Sequence, residues 1–364
     1  MTRSVAFVCI NGTGMGHATR ILAIARRLPE DITPVIFSNS PALDAFEILP
    51  RAIVEHVPGL EYVDVSRNTW TAQLKREFEA VLKLYGCEVV VQDGTALFPW
   101  VLDSVTRGSE GRRLVWIRRP MWRDRRQVYR NLADQAWCDL VIEPGELAGD
   151  LDQGPTTRAG ELAPPPMRFA RTAPIRLLDP EEALPAGEAR HRLGIADGEK
   201  AVLVQLGAGT LQRNWDAAAA AIESLRKLGT HRIFLARWKI AGAQPRFGPD
   251  VTVIDTYPLA RFFNAFDFQV AAAGYNSFHE LLAAGQRTVI VPNYMEVDDQ
   301  ALRASYAETG GWGAVVRANP LETLGARMDE AIIRIASARP QFPPHFAENG
   351  ALTAAREIAA LCGA

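Results

Sequence analysis

The side chains able to do chemistry fall in a few short stretches. His17 follows the run Gly12-Thr13-Gly14-Met15-Gly16. An imidazole suits proton transfer near neutral pH, and Gly14 and Gly16 loosen the loop so that another molecule can come close to backbone. Asp93, followed by Gly94, stands just past an apolar run. In GAGT, residues 207–210, Gly207 and Gly209 free the backbone and Thr210 offers a hydroxyl and an amide. Tyr275, Asn276 and Ser277 lie where a glycine turn opens a helix, and the free amides there favour an anion such as a diphosphate. Glu280 falls one turn further, where a carboxylate can accept two hydroxyl hydrogen bonds. Two loops at one sheet edge, 207–210 and 275–277, would converge on a single anion. Plainer readings stand beside these: His17 capping its own helix, Asp93 capping the helix after it, Glu280 merely solvated.

The elements that must hold these residues are legible in the hydrophobic pattern. Strands are expected at Val5–Ile10, Pro34–Ser38, Ala52–Val57, Glu88–Gln92, Arg113–Ile117 and Leu140–Ile142. An amphipathic helix to about Leu28, then helices over Thr71–Tyr85 and Ala96–Val105, alternate with them. In the second half, strands are expected at Ala201–Leu206, Arg232–Ala236, Val251–Ile254, Phe268–Ala273 and Thr288–Val291. Helices are expected at Glu188–Leu193, Leu321–Ala338 and Ala351–Leu361. Such alternation predicts doubly wound α/β domains with parallel sheets. His17 and Asp93 then share one carboxyl edge. Asn276 or Ser277 is expected to cap its helix, Phe278, Leu281 and Leu282 to share one face, and Gly285 to end it. Prolines 164–166, Pro174, Pro180 and Pro185 mark a linker over 166–187 between domains at 1–165 and 188–345. Phe262, Phe263 and Phe266 read as core.

Composition removes several function classes. The formal net charge of −2 over 364 residues gives no global argument for nucleic acid. Cys9, Cys87, Cys138 and Cys362 are far apart, which fits reduced buried thiols and neither a disulfide frame nor a zinc site. No apolar run approaches transmembrane length and the first strand is too short for a signal segment, so the expectation is a cytoplasmic protein, with peripheral contact at the inner face of a membrane left open. The glycines at 12 and 14 suggest a dinucleotide fingerprint, but its third glycine position is His17 and the next strand ends without the acidic residue that would hold a ribose; nicotinamide and flavin roles are rejected. Asp150-Leu151-Asp152 could hold a divalent ion, yet no strand leads into it and it reads as a surface turn. The segment 112–131 interleaves arginine with Trp116, Trp122 and Tyr129; a solvated basic face, a site for an anionic acceptor or lipid headgroup, and a single-strand nucleic-acid surface all fit, the last least.

The stretch 271–304 resembles the donor-binding signature of nucleotide-sugar glycosyltransferases with the GT-B fold, and in particular family 28, which includes the bacterial transferase that adds N-acetylglucosamine to the peptidoglycan lipid intermediate. The GHATR loop at 16–20 resembles that family's GTGGH and GHxxR loops. The resemblance implies two Rossmann-like domains facing across a cleft, acceptor on the N-terminal side and donor on the C-terminal side, with the last segment, 346–364, crossing back onto the first domain. It implies that Tyr275, Asn276 and Ser277 hold the donor diphosphate together with Gly207, Gly209 and Thr210. Glu280 would bind the ribose, Asp299 and Gln300 the sugar, and Tyr257 the nucleobase. In the related family 1, a histidine and an aspartate placed like His17 and Asp93 form a catalytic dyad.

The expectation is an inverting, metal-independent glycosyltransferase with no cofactor. It would use a nucleotide-diphosphate sugar of the uridine type, with His17 as general base toward a hydroxyl or amine acceptor of unknown identity, which could be anionic or membrane-associated. Two alternatives use the same scaffold. One is a nucleotide-sugar hydrolase, suggested by the likeness of GHATR to the GSGHVMR-type loop; the other is a non-catalytic GT-B partner. A nucleotide-sugar 2-epimerase is disfavoured because its carboxylate and histidine set is not evident.

Overall fold

The computed structural model describes residues 3–10, 14–106, 111–207, 212–237 and 245–363. Two compact units result, one formed by 1–12, 16–177 and 349–364, the other by 13–15 and 178–348. Each is built around its own wholly parallel sheet.

The first sheet contains β1 Arg3–Cys9, β2 Ile32–Ser38, β3 Ile53–His56, β4 Cys87–Asp93, β5 Arg113–Ile117, β6 Leu140–Glu143 and β7 Arg168–Arg171, in the order β3-β2-β1-β4-β5-β6-β7. Val5 to Cys9 and Val89 to Val91 are buried on both faces, as a helix-covered parallel sheet demands. The helices of this unit are α1 Gly16–Ala25, α2 Arg67–Leu84, α3 Pro99–Thr106, α4 Arg126–Ala133 and the single turn α5 Ala159–Leu162. The amphipathic expectation for α1 is corrected: every residue from Ala18 to Ala25 is buried, because the last helix of the chain, Ala351–Ala359, covers its other side. β7 was not expected; it lies inside the stretch read as linker. Alternation there is weak because this edge strand is largely exposed.

The second sheet contains β8 Ala201–Gln205, β9 Arg232–Ala236, β10 Val251–Ile254, β11 Phe268–Ala272, β12 Thr288–Val291 and β13 Gly313–Val315, in the order β10-β9-β8-β11-β12-β13. Its helices are α6 Ala186–Arg192, α7 Gln212–Leu228, α8 Tyr275–Ala283, α9 Gln300–Thr309 and α10 Leu324–Ser337. Along β8 the period of two is explicit. Val202 and Val204 join one apolar cluster with Ala218, Ile222 and Met328 of α7 and α10. Ala201 and Leu203 join the other with Phe234, Phe263 and Phe266. Phe262 is only partly buried against that cluster.

The final helix, α11 Ala351–Ala359, belongs to the first unit. Asn349 ties its start to the segment before the second unit. Its Oδ1 accepts from the amides of Arg176 and Ala351, each at 3.1 Å, and its Nδ2 donates to the Arg176 carbonyl at 3.1 Å. Gly350 follows because nothing larger fits: a Cβ there would stand 2.0 Å from the Ala173 carbonyl oxygen.

Candidate active site

In an open parallel sheet, ligands gather at the carboxyl edge where neighbouring strands depart in opposite directions. In the first sheet that point lies between β1 and β4. His17 sits in the first turn of α1, just after β1, and Asp93 is the last residue of β4. The His17 Nδ1 is 2.6 Å from Asp93 Oδ1. Asp93 therefore does not serve merely to cap the helix after it. Arg20, one helical turn beyond His17, completes the group. Its Nε donates to Asp93 Oδ2 at 2.6 Å and its Nη2 to Oδ1 at 2.6 Å, a two-pronged grip. The Asp93 and Arg20 side chains are only 1% and 2% exposed, while that of His17 is 24% exposed.

The charge state of the carboxylate follows. Burial alone would raise the Asp93 pKa, but the Arg20 charge and the hydrogen bonds from His17 and Arg20 outweigh it, and the carboxyl is held well below its usual range. An ionised Asp93 only accepts, so Nδ1 of a neutral His17 carries the proton and Nε2 is left as the basic nitrogen. The Arg20 Nη2 also comes within 3.4 Å of His17 Nδ1, but with Nδ1 donating to Asp93 that approach is not a hydrogen bond. Arg20 went unassigned in the sequence because a lone arginine in a helix is usually solvated. The available signal was its spacing, since positions three apart share a helix face.

The second sheet has its reversal between β8 and β11. Gly207 follows β8 with a φ of +85°, a conformation a side chain would resist. Gly209 and Thr210 lie outside the described residues. Gly274 follows β11 and is itself the N-cap of α8, so neither Asn276 nor Ser277 caps; they occupy the first turn instead. The first intrahelical bond runs from the Phe278 amide to the Gly274 carbonyl, so the amides of 275–277 precede it. Gly285, with a φ of +63°, stands just past the helix end as expected.

Other predicted donor residues are placed differently from one another. The Tyr275 side chain is buried, 4.3 Å from the His279 ring and under the Arg303 guanidinium at 5.7 Å. Glu280 is half-buried on α8. Asp299 caps α9, its Oδ1 accepting from Ala301 and Leu302 amides at 3.2 and 3.3 Å. The Gln300 Oε1 accepts from the Asn293 amide at 3.0 Å and thereby closes the loop after β12. Buried Arg303 pairs with Asp298 at 2.8 Å and braces the same loop. Tyr257 is half-buried beyond β10, before the helical turn that carries Phe263.

The remaining motifs resolve into structure. Asp152 accepts from the Met121 and Gly154 amides at 2.9 and 2.8 Å and from the Thr156 hydroxyl at 3.2 Å, so the D-x-D triplet is a turn that braces a loop. The arginine-rich segment is not one solvated face. Trp116 and Trp122 are buried with centroids 6.1 Å apart, and Arg118 is fully buried against Glu143 at 2.8 Å. All four cysteines are buried and free. No helix among the described residues is long and apolar enough to cross a membrane.

Neither a family model nor a curated protein matches the chain. Solved structures do. A UDP-glucosyltransferase from Polygonum tinctorium, capable of glucosylating indoxyl, is similar at 14% identity over 99% of this chain and 98% of that one, with a TM-score of 0.65. The UDP-GlcNAc 2-epimerase of Methanocaldococcus jannaschii, solved with UDP-GlcNAc and UDP, is similar at 12% identity over 98% and 99%, with a TM-score of 0.63. MurG of Acinetobacter baumannii is similar at 14% identity over 98% and 100%, with a TM-score of 0.53. With two doubly wound parallel-sheet units, the chain has the GT-B fold.

Proposed function

We propose that the chain is a glycosyltransferase that moves a sugar from a nucleotide-diphosphate donor, of the uridine type, to a hydroxyl- or amine-bearing acceptor. The observation that carries the reading is the His17–Asp93 contact at the strand reversal of the first sheet. His17 Nε2 takes the acceptor proton as the acceptor atom attacks the anomeric carbon. The bond from that carbon to the diphosphate breaks, and the configuration inverts in one displacement. Asp93 fixes the Nδ1–H tautomer and balances the charge that forms on the ring. The departing diphosphate lies at the start of α8, where the amides of 275–277 and the helix dipole favour negative charge, together with the loop after Gly207. Glu280 binds the ribose, and Asp299 and Gln300 the sugar. For Gln300 the offered group is its side-chain nitrogen, since its oxygen is engaged. The nucleotide-sugar structures of similar fold support the donor class.

The hydrolase alternative uses the same base on water, and the partial exposure of the imidazole leaves room for it. Radiolabelled UDP-glucose and UDP-N-acetylglucosamine separate the readings. Transfer that depends on added acceptors, and is lost in His17→Ala, is the expected result. Donor cleavage at an equal rate without acceptor would make the protein a hydrolase, and binding without turnover a non-catalytic partner.

A further inference from the structure

The Arg20–Asp93 pair has a role beyond packing. A carboxylate as deeply buried as Asp93 demands a nearby positive charge. Two groups reach it: Arg20, with two charged hydrogen bonds at 2.6 Å, and the His17 ring, with one. Among the described residues Cys9, at the end of β1, is a further ionisable side chain near it; burial pushes its thiol up to about 12, so it is neutral. A dyad of imidazole and buried carboxylate without an arginine would draw a proton onto the imidazole, since its nitrogen is the more basic of the two sites. That would stabilise the pair and spoil the base.

We propose that Arg20 is the positioning residue that keeps His17 available as a base, by supplying the counter-charge of Asp93 so that the imidazole need not. The geometry is specific to this task. Arg20 grips both carboxylate oxygens from the same helix that carries His17, three residues on, and leaves Oδ1 aligned with the ring nitrogen. This inference rests on the reading of His17 as a proton acceptor, but it is tested separately from catalysis.

The test is nitrogen NMR of the whole protein labelled at histidine, with His17→Ala to identify the His17 signals. Near neutral pH the wild type should show an unprotonated Nε2 and a protonated Nδ1. Arg20→Met should show both nitrogens protonated under the same conditions, with the titration midpoint moved up by about one pH unit or more. Arg20→Lys, which keeps the charge but not the fork, should stay close to the wild type. An Arg20→Met ring that remains neutral, or an Arg20→Lys ring that behaves like the methionine variant, overturns the proposal. If Arg20→Met does not fold, the double variant Arg20→Met/Asp93→Leu removes both charges and every hydrogen-bonding group at position 93, and should return a neutral ring near neutral pH; a ring with both nitrogens protonated there overturns the proposal. Where turnover is measured, the acidic limb of the pH–rate profile of Arg20→Met should move up by the same amount. Full activity of His17→Ala would instead remove the base assignment and leave the charge result standing.

Discussion

At the scale of single residues, His17 and Asp93 were legible because one opens the helix after a readable strand and the other closes a readable strand. Their pairing came only from the resemblance, because β1 and β4 become neighbours through the strand order, which the hydrophobic pattern does not give. The burial of the Tyr275 side chain was not legible for a similar reason: Arg303 and His279 become its neighbours only once α8 and α9 pack. His17→Ala is expected to lower kcat by about 10²–10⁴-fold while donor affinity by calorimetry changes little. Glu280→Ala should weaken donor binding by about 1.5–3 kcal/mol, read by the same titration, with the fold intact by circular dichroism. The Asp93 carboxyl also sets a pH dependence. Its folded value lies below the unfolded value of about 3.9, so the unfolded chain binds the proton first as acid is added. The stabilisation is complete above about pH 4 and decays below it. Urea midpoints of the wild type and of Arg20→Met/Asp93→Asn across that range check the sign: the wild type should lose ground as pH falls.

At the scale of elements, the helix that bears His17 is held from two sides. β1 and β4 lie on one, and α11 lies on the other. The turn into α11 is tight: besides the Asn349 bonds, the Gly350 amide donates to the Pro174 carbonyl at 2.9 Å. Asn349→Ala removes these side-chain hydrogen bonds to the Arg176 and Ala351 backbone, so about 1–3 kcal/mol should be lost. Gly350→Ala forces a methyl against the Ala173 carbonyl and should be at least as harmful. Denaturant unfolding of the two variants is the measurement. Comparable stability to wild type would mean that this turn can reshape at little cost. The glycine that meets the neighbouring backbone carries no signature in the sequence, and only the packed structure shows why it is glycine.

At the scale of the molecule, each unit has its own sheet and buried apolar residues on both faces, so heat should unfold the protein in two resolvable steps. UDP should raise the step of the second unit by mass action, and Gly350→Ala should lower the step of the first. A single step shifted alike by both would contradict the assignment of donor and dyad to separate units. The fold class was readable because strands and helices alternate along nearly the whole chain. β13 and β7 were missed because one is three residues long and the other is a partly exposed edge.

The placement of α11 has a consequence for how the protein is made. The helix that shields α1 leaves the ribosome only after every residue of the second unit has emerged. Until then α1 keeps an apolar flank open to water, and the first unit waits unfinished while its neighbour folds. His17 and Asp93 both precede the second unit in the chain, but the helix that seals their scaffold follows it.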